Sequence, residues 1–196
     1  MEKLGRDFFD RDTVTVARDL LGKYLVRVAE GRKLTVRLTE TEAYVGRMDK
    51  ACHAYGYRRT PRTETLFAPP GTAYVYLIYG MYCCLNCVTE AQGEPAAVLL
   101  RGGEPTTEAD REAISVKRFG CTAGELSLYQ RKNFLNGPGK LCKGLSLTRA
   151  ENGLSLVGEE LYLLDGGERP EHIYTGRRIG IDYAEEAADF PWRFYL

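Results

Sequence analysis

The stretch Ala73-Tyr74-Val75-Tyr76-Leu77-Ile78, followed by Tyr79-Gly80 and then Tyr82 to Val88, constrains the fold more than any other. Its aromatic, aliphatic and β-branched residues suit a pleated, half-buried surface. Tyr79-Gly80 reads as the tip of a β-hairpin, and Tyr82 to Val88 as its return strand. Pro69-Pro70-Gly71 restarts the chain just before it. Spanning a bilayer takes about 20 apolar residues; Ala73 to Val88 is shorter than that and rich in tyrosine. Residues 72–82 hold four of the thirteen tyrosines, so the hairpin also concentrates flat aromatic surface.

The residues before the hairpin are patterned as strands. Asp12 or Thr13 caps a short helix that runs through Leu21 and ends at Gly22. Tyr24 to Val28 alternates as a strand, Glu30-Gly31-Arg32 turns it, and a second strand runs from Leu34 to Tyr44. Period two places Leu34, Val36, Leu38, Glu40, Glu42 and Tyr44 on one face, an apolar row that ends in carboxylates. The connection from Gly46 to Pro70, rich in Gly, Pro and Arg, is long enough to suggest a functional loop. Ala96 to Leu100 is a continuous apolar strand. After Pro105 the pattern turns helical: a helix capped at Thr107 and ending at Phe119, a segment around Glu125 to Phe134, and a helix at Lys140 to Leu145 behind Asn136-Gly137-Pro138-Gly139. Short strands are expected near Leu154–Val157, Leu161–Leu164 and Arg178–Tyr183. Strands first and helices afterwards argue for an α+β domain spanning residues 1–196.

Lys+Arg and Asp+Glu both number 27, so affinity for nucleic acid needs a local basic face. Arg58, Arg59 and Arg62, Arg131 and Lys132, and Lys140 and Lys143 form such clusters, which ordinary solvated surface also produces. The first residues carry no apolar run of a signal peptide. That points to a reducing interior and six free cysteines: cytoplasm or nucleoid in a prokaryote, the nucleus in a eukaryote. Cys84-Leu85-Asn86-Cys87 hints at zinc, but a structural site wants a second ligand pair at matching spacing. Buried thiols on a strand are the simpler reading, and no metal or other cofactor is expected.

Glu42 and Tyr44, about 6.6 Å apart along a strand and on one face, can put a general base beside a stacking surface. Glu40 shares that face and competes for the role, and a surface ion pair would use the same residues. Tyr79, beside a turn glycine, is placed to be exposed and to wedge into a base stack. His53 lies in the Arg/Gly-rich loop, where a lone histidine is more often structural. Arg101 follows Val98-Leu99-Leu100 at a strand end, able to hold a carboxylate and its water or to reach solvent. Gly137-Pro138-Gly139-Lys140 offers amides to a phosphate, a common loop pattern. A polar catalyst beside aromatic walls suits chemistry on a planar nucleobase.

In this order, Glu40-Thr41-Glu42-Ala43-Tyr44, Arg59-Thr60-Pro61-Arg62, Gly71-Thr72-Ala73-Tyr74-Val75-Tyr76, Tyr79-Gly80-Met81, Val98-Leu99-Leu100-Arg101 and Gly137-Pro138-Gly139-Lys140-Leu141 resemble the alkyladenine (3-methyladenine) DNA glycosylase family. The resemblance runs from Leu20-Leu21-Gly22 to Trp192-Arg193-Phe194-Tyr195. Arg47-Met48-Asp49, Cys52 and Thr63 depart from the usual family pattern.

The resemblance implies a mostly antiparallel, curved sheet with a protruding hairpin and surrounding helices. It implies release of alkylated or otherwise damaged purines from duplex DNA without metal and without cutting the backbone. Glu42 then matches the acid that activates water, and Arg101 the residue that helps hold it. Tyr44, His53 and Tyr76 match the walls around the flipped base. Ala51 falls among the base-binding residues, the His53 amide reads the base edge, and Asn86 crowds the 2-amino group of guanine. Tyr79 matches the inserted side chain; Arg59, Arg62, Gly139 and Lys140 are expected at the DNA backbone. A monomer acting on damaged duplex, away from membranes, is expected. A nucleoside or RNA-base hydrolase and a non-catalytic nucleic-acid-binding module are the alternatives.

Overall fold

The computed structural model describes all residues from Met1 to Leu196. In chain order the strands are β1 (Glu2–Lys3), β2 (Tyr24–Ala29), β3 (Arg32–Val45), β4 (Ala73–Ile78), β5 (Tyr82–Val88), β6 (Ala96–Pro105), β7 (Leu161–Asp165), β8 (Tyr174–Gly176) and β9 (Arg193–Tyr195). The helices are α1 (Arg6–Phe9), α2 (Thr13–Asp19), α3 (Glu108–Phe119), α4 (Leu128–Lys132) and α5 (Pro138–Gly144). The strands form one open sheet in the order β1-β7-β2-β3-β6-β5-β4, with β9 pairing β3 and β8 beside that path. All pairings are antiparallel. The architecture is α+β, as the order of strands and helices led one to expect.

Alternation along the central strands divides the sheet into two faces. Val75 of β4, Leu85 and Cys87 of β5, and Val98 and Leu100 of β6 join the main apolar core with Leu20 and Leu141. Burying a leucine fully is worth about 1.5–3 kcal/mol, so this face is the main anchor of the sheet. Their neighbours Tyr74, Tyr76, Cys84, Asn86, Ala97 and Leu99 line a cleft on the opposite face. Helices therefore cover one side of the sheet and leave the other to function.

β3 departs from simple alternation in the way that matters most. Its register against β6 shifts between Leu38 and Glu40 and again between Glu40 and Thr41. Thr39 and Arg101 fall outside the paired positions, as residues of a β-bulge do. Leu34, Val36 and Leu38 face the core before the irregularity, and Ala43 faces it afterwards. Thr41, also buried, donates from Oγ1 to the Ala17 carbonyl of α2 at 2.7 Å. The single face expected for Leu34 through Tyr44 is thus corrected: Glu40, Glu42 and Tyr44 turn away from the apolar row. At this point β3 also changes partner, pairing β2 through Arg37 and β9 at Glu40–Glu42. A Cβ on Gly102 would stand 3.2 Å from Thr39 Oγ1, so glycine lets the irregular strands close up.

Other expectations need adjustment. Leu154–Val157 and Arg178–Tyr183 are irregular; the former makes only bridges at Ser155 and Val157. The helical segment from Glu125 to Phe134 shortens to α4, behind a Ser127 cap whose hydroxyl accepts from the Gln130 amide. The long loop keeps two short 3-10 turns, Tyr55–Tyr57 and Glu64–Phe67, and packs Cys52, Ala54, Leu66 and Phe67 over the cleft face.

Candidate active site

The cleft has a volume of about 560 Å³. It lies between the bare face of β4, β5 and β6, the loop after β3, and residues 179–183. Tyr44, Ala51, His53, Tyr76, Tyr79, Asn86, Arg101 and Arg62 all line it. The structure thus gathers these sequence-selected residues at one place, although they come from five separate stretches of chain.

Glu42 stands just behind the cleft surface and has no exposed area. The Tyr44 hydroxyl donates to its Oε2 at 2.7 Å, and the Ile179 amide donates to its Oε1 at 2.8 Å. Arg101 Nε is 3.5 Å from the same Oε1. Tyr44, Ile179 and Arg101 all line the cleft, so the carboxylate is one side chain removed from it. Burial raises the Glu42 pKa above the ordinary carboxylate value, outweighing Arg101, Tyr44 and the Ile179 amide, which favour the anion. Burial and the neighbouring Glu42 charge push the Tyr44 phenol well up, so it stays a donor. The sequence spacing set Glu42 and Tyr44 side by side as a base and a stacking surface; the fold also joins them by a hydrogen bond.

Glu40, the competing carboxylate, has a different setting. Its Oε1 accepts from Arg101 Nε at 3.0 Å and Arg193 Nε at 2.6 Å. Two guanidiniums compensate it, whereas Glu42 meets one guanidinium at longer range. Glu40 holds Arg101 in place; Glu42 is the carboxylate aimed through Tyr44 and Ile179 toward the cleft.

The aromatic wall is built from β4 and the loop. His53 meets Tyr76 edge-on, with centroids 4.6 Å apart, and Tyr74 lies 5.3 Å from Tyr76. Arg62 Nη2 donates to His53 Nε2 at 3.3 Å, which leaves Nδ1 to carry the ring proton and donate to the Tyr74 hydroxyl at 3.0 Å. Burial, helped by the Arg62 charge, lowers the His53 pKa to about 4. The ring is therefore neutral at physiological pH. Asn86 is buried and donates from Nδ2 to the Tyr74 carbonyl at 3.0 Å, which fixes its side chain in the cleft floor.

Tyr79 is 87% exposed and sits at φ 50°. Left-handed backbone is unfavourable for a bulky residue. Neither burial nor backbone preference explains a tyrosine here. Gly80, at φ 69°, completes the turn, and the Met81 amide donates to the Ile78 carbonyl at 3.2 Å. Met81 and Tyr82 are also exposed, so the hairpin ends in an apolar, aromatic tip.

The positions expected at a DNA backbone are less uniform. Arg59 is exposed but forked onto Glu64 at 2.6 and 2.9 Å. Lys140 turns its Nζ back onto Asn133 Oδ1 and Asn136 Oδ1, both at 2.8 Å. Gly139 packs under the hairpin, where a Cβ would come within 3.1 Å of Tyr82. Arg62 reaches the cleft mouth. Cys84 faces the cleft and Cys87 the core, so strand geometry keeps this pair from gripping one ion.

The sequence reading missed the support behind the site. Arg178 and Asp49 are fully buried and paired at 2.5 and 2.8 Å. Arg178 also donates to the carbonyls of Ala43 and Ala187 and lies 4.6 Å from the Tyr44 centroid. It ties the loop after β3 to residues 178–187 and backs the Tyr44 ring. Lys50 adds bonds to Glu185 and Glu186 at 2.5 and 2.9 Å. Arg178 and Asp49 are 129 positions apart, so no local signal marks them as partners.

Residues 7–196 match the family described as methylpurine-DNA glycosylase. Three curated relatives named "Putative 3-methyladenine DNA glycosylase" align over nearly the whole chain. The one from Clostridium perfringens (strain 13 / Type A) is 53% identical over 99% of this chain and 95% of its own. Those from Desulfitobacterium hafniense (strain Y51) and Alkaliphilus oremlandii (strain OhILAs) are 48% and 49% identical, covering 100% and 99% of this chain and 96% and 95% of their own.

Proposed function

The chain belongs to the methylpurine-DNA glycosylase family, and we propose that it releases alkylated or otherwise damaged purines from duplex DNA by hydrolysing the N-glycosidic bond. The observation that carries this reading is the Glu42–Tyr44–Arg101 unit set directly behind an aromatic cleft whose lip bears an exposed, left-handed tyrosine.

In this reading the damaged nucleotide leaves the stack and its base enters the cleft beside Tyr44, His53 and Tyr76. Extrusion costs a few kcal/mol, least for a damaged pair, and stacking on aromatic rings returns about 1–3 kcal/mol. Tyr79 fills the gap left in the duplex. A cationic alkylpurine gains further from the tyrosine faces. Asn86 crowds the 2-amino group of guanine, and Ala51 and the His53 amide border the base edge.

Glu42 carries the chemistry. It has no exposed area in the DNA-free protein, so the segment around Ile179 yields when the duplex docks and admits a water to Oε1. Arg101, oriented by Glu40, holds that water. Glu42 takes its proton as the oxygen attacks C1′ and the C1′–N bond breaks, the carboxylate also facing the positive charge that develops on the sugar. A cationic base leaves without further protonation. Water is the nucleophile, so the product is an intact strand with an abasic sugar, and no lyase step follows.

The reading places a monomeric enzyme with DNA in the cytoplasm or nucleoid, or in the nucleus of a eukaryote. No helix is long and apolar enough to cross a membrane. The exposed Tyr79 favours duplex DNA over a free nucleoside, which leaves no gap to fill. Base release from duplex carrying 3-methyladenine, 7-methylguanine, hypoxanthine or ethenoadenine, measured beside free methylated nucleosides and methylated RNA, tests it. Release from the duplex alone is expected; release confined to nucleosides or RNA, or binding with no turnover, overturns it.

A further inference from the structure

Arg62 differs from Arg59 of the same loop. Arg59 is locked by Glu64. Arg62 forms no ion pair and is exposed, and its head rests at the cleft mouth on His53 Nε2 at 3.3 Å and over the Tyr76 ring, 5.6 Å from its centroid. The backbone beneath it is fixed. Thr63 is buried, its Oγ1 accepts from the Thr60 amide at 2.8 Å and donates to the Arg58 carbonyl at 2.9 Å. A firm pivot thus carries a head held by one long hydrogen bond and one ring face.

That ring is a wall of the base cleft, and the head is a cation. In this position it competes with a base for Tyr76 and repels a positively charged one. A phosphate would attract it more strongly, since guanidinium–phosphate pairs form two parallel, charge-assisted hydrogen bonds.

We propose that Arg62 is a latch on the base cleft, closed onto His53 and Tyr76 in the free protein and drawn off by a DNA phosphate. Backbone binding thereby opens the cleft, so cationic bases are admitted only as part of a nucleic acid. The proposal rests on the reading of the cleft as a pocket for a flipped base. It adds a way to ignore free methylated nucleosides that the shape of the cleft alone does not supply.

The test compares wild-type protein with Arg62→Gln and Arg62→Lys, using free 7-methylguanosine and a lesion-bearing duplex as probes. Arg62→Gln should bind the nucleoside about 2- to 5-fold more tightly, the size of a cation–π competition at an exposed site. It should bind the duplex more weakly, with a log–log salt slope smaller by about 0.9, one phosphate contact. Arg62→Lys keeps the charge but gives up the planar fork. It should keep the salt slope while still tightening on the nucleoside. Nucleoside binding that is unchanged or weaker in both variants, or a salt slope that stays at the wild-type value in Arg62→Gln, overturns the latch. Flat ratios with normal base release by wild type defeat the latch alone. Absence of base release from alkylated duplex defeats the activity instead, whatever the ratios.

Discussion

The back wall of the cleft and its mouth are built on opposite plans. At the back, each carboxylate is committed: Glu42 to Tyr44, Ile179 and Arg101, Glu40 to Arg101 and Arg193, and Asp49 to Arg178. At the mouth, Tyr79 is exposed on strained backbone, and Arg62 is held by one long bond. On the proposed mechanism a displaced carboxylate would lose its reaction geometry, so Tyr44 and Arg101 keep their hold on Glu42 and only the Ile179 segment gives way when the duplex docks. The mouth is left loose because its partners arrive with the DNA. Exposure at Tyr79 is what binding would relieve.

Substitutions on the two sides should therefore fail differently. The largest effect on folding is expected from Arg178→Ala, which strands the Asp49 carboxylate in the interior. Breaking one side of such a pair costs about 3–5 kcal/mol, readable by denaturant titration. A loss under about 1 kcal/mol would mean that the wall does not depend on it.

Next comes the mouth. Tyr79→Ser should weaken binding to lesion duplex by about 1–3 kcal/mol, with less effect on single strands. Equal loss on both would remove the wedge. Tyr79→Gly should lose binding in the same way yet gain up to about 1 kcal/mol of stability, because glycine accepts a positive φ. A loss of stability there would show that the tip is structural and would blur the contrast.

A further contrast concerns pH. His53 titrates near 6.5 when unfolded and about 4 when folded. Between those values the unfolded chain binds a proton that the folded protein refuses, so stability falls as pH drops through that window. His53→Gln should flatten that part of the acid limb, seen as a smaller fall in melting temperature from pH 6.5 to 4. Glu42 shifts the other way: its raised pKa makes the folded state the better proton binder just above the ordinary carboxylate value. Its contribution therefore declines as pH rises through that range. On the proposed mechanism base release depends on the anion and should be lost as pH falls through the raised pKa.

Alternation and turn chemistry made the hairpin, the central strands and the α+β order legible in the sequence. Composition placed Tyr79 at a tip, and motif order singled out the cleft residues. Period two failed at β3, because a bulge puts the strand one residue out of register, and its only compositional mark, Gly102-Gly103, lies on the partner strand. Reading Leu34 to Tyr44 as one face therefore put Glu42 at the end of an apolar row, whereas the fold turns it away toward the cleft. The Arg178–Asp49 brace and the Ile179 amide were illegible for another reason. They act through distant pairing and a main-chain donor, and the segment that holds Arg178 and Ile179 was expected to be a strand.

Glu42→Gln keeps the size of the side chain while removing its negative charge and its capacity to take a proton. Single-turnover base release from duplex containing 7-methylguanine should fall by about 10²-fold or more, while affinity for the same duplex stays near wild type. Release at the wild-type rate would take Glu42 out of the chemistry and contradict the account at its centre.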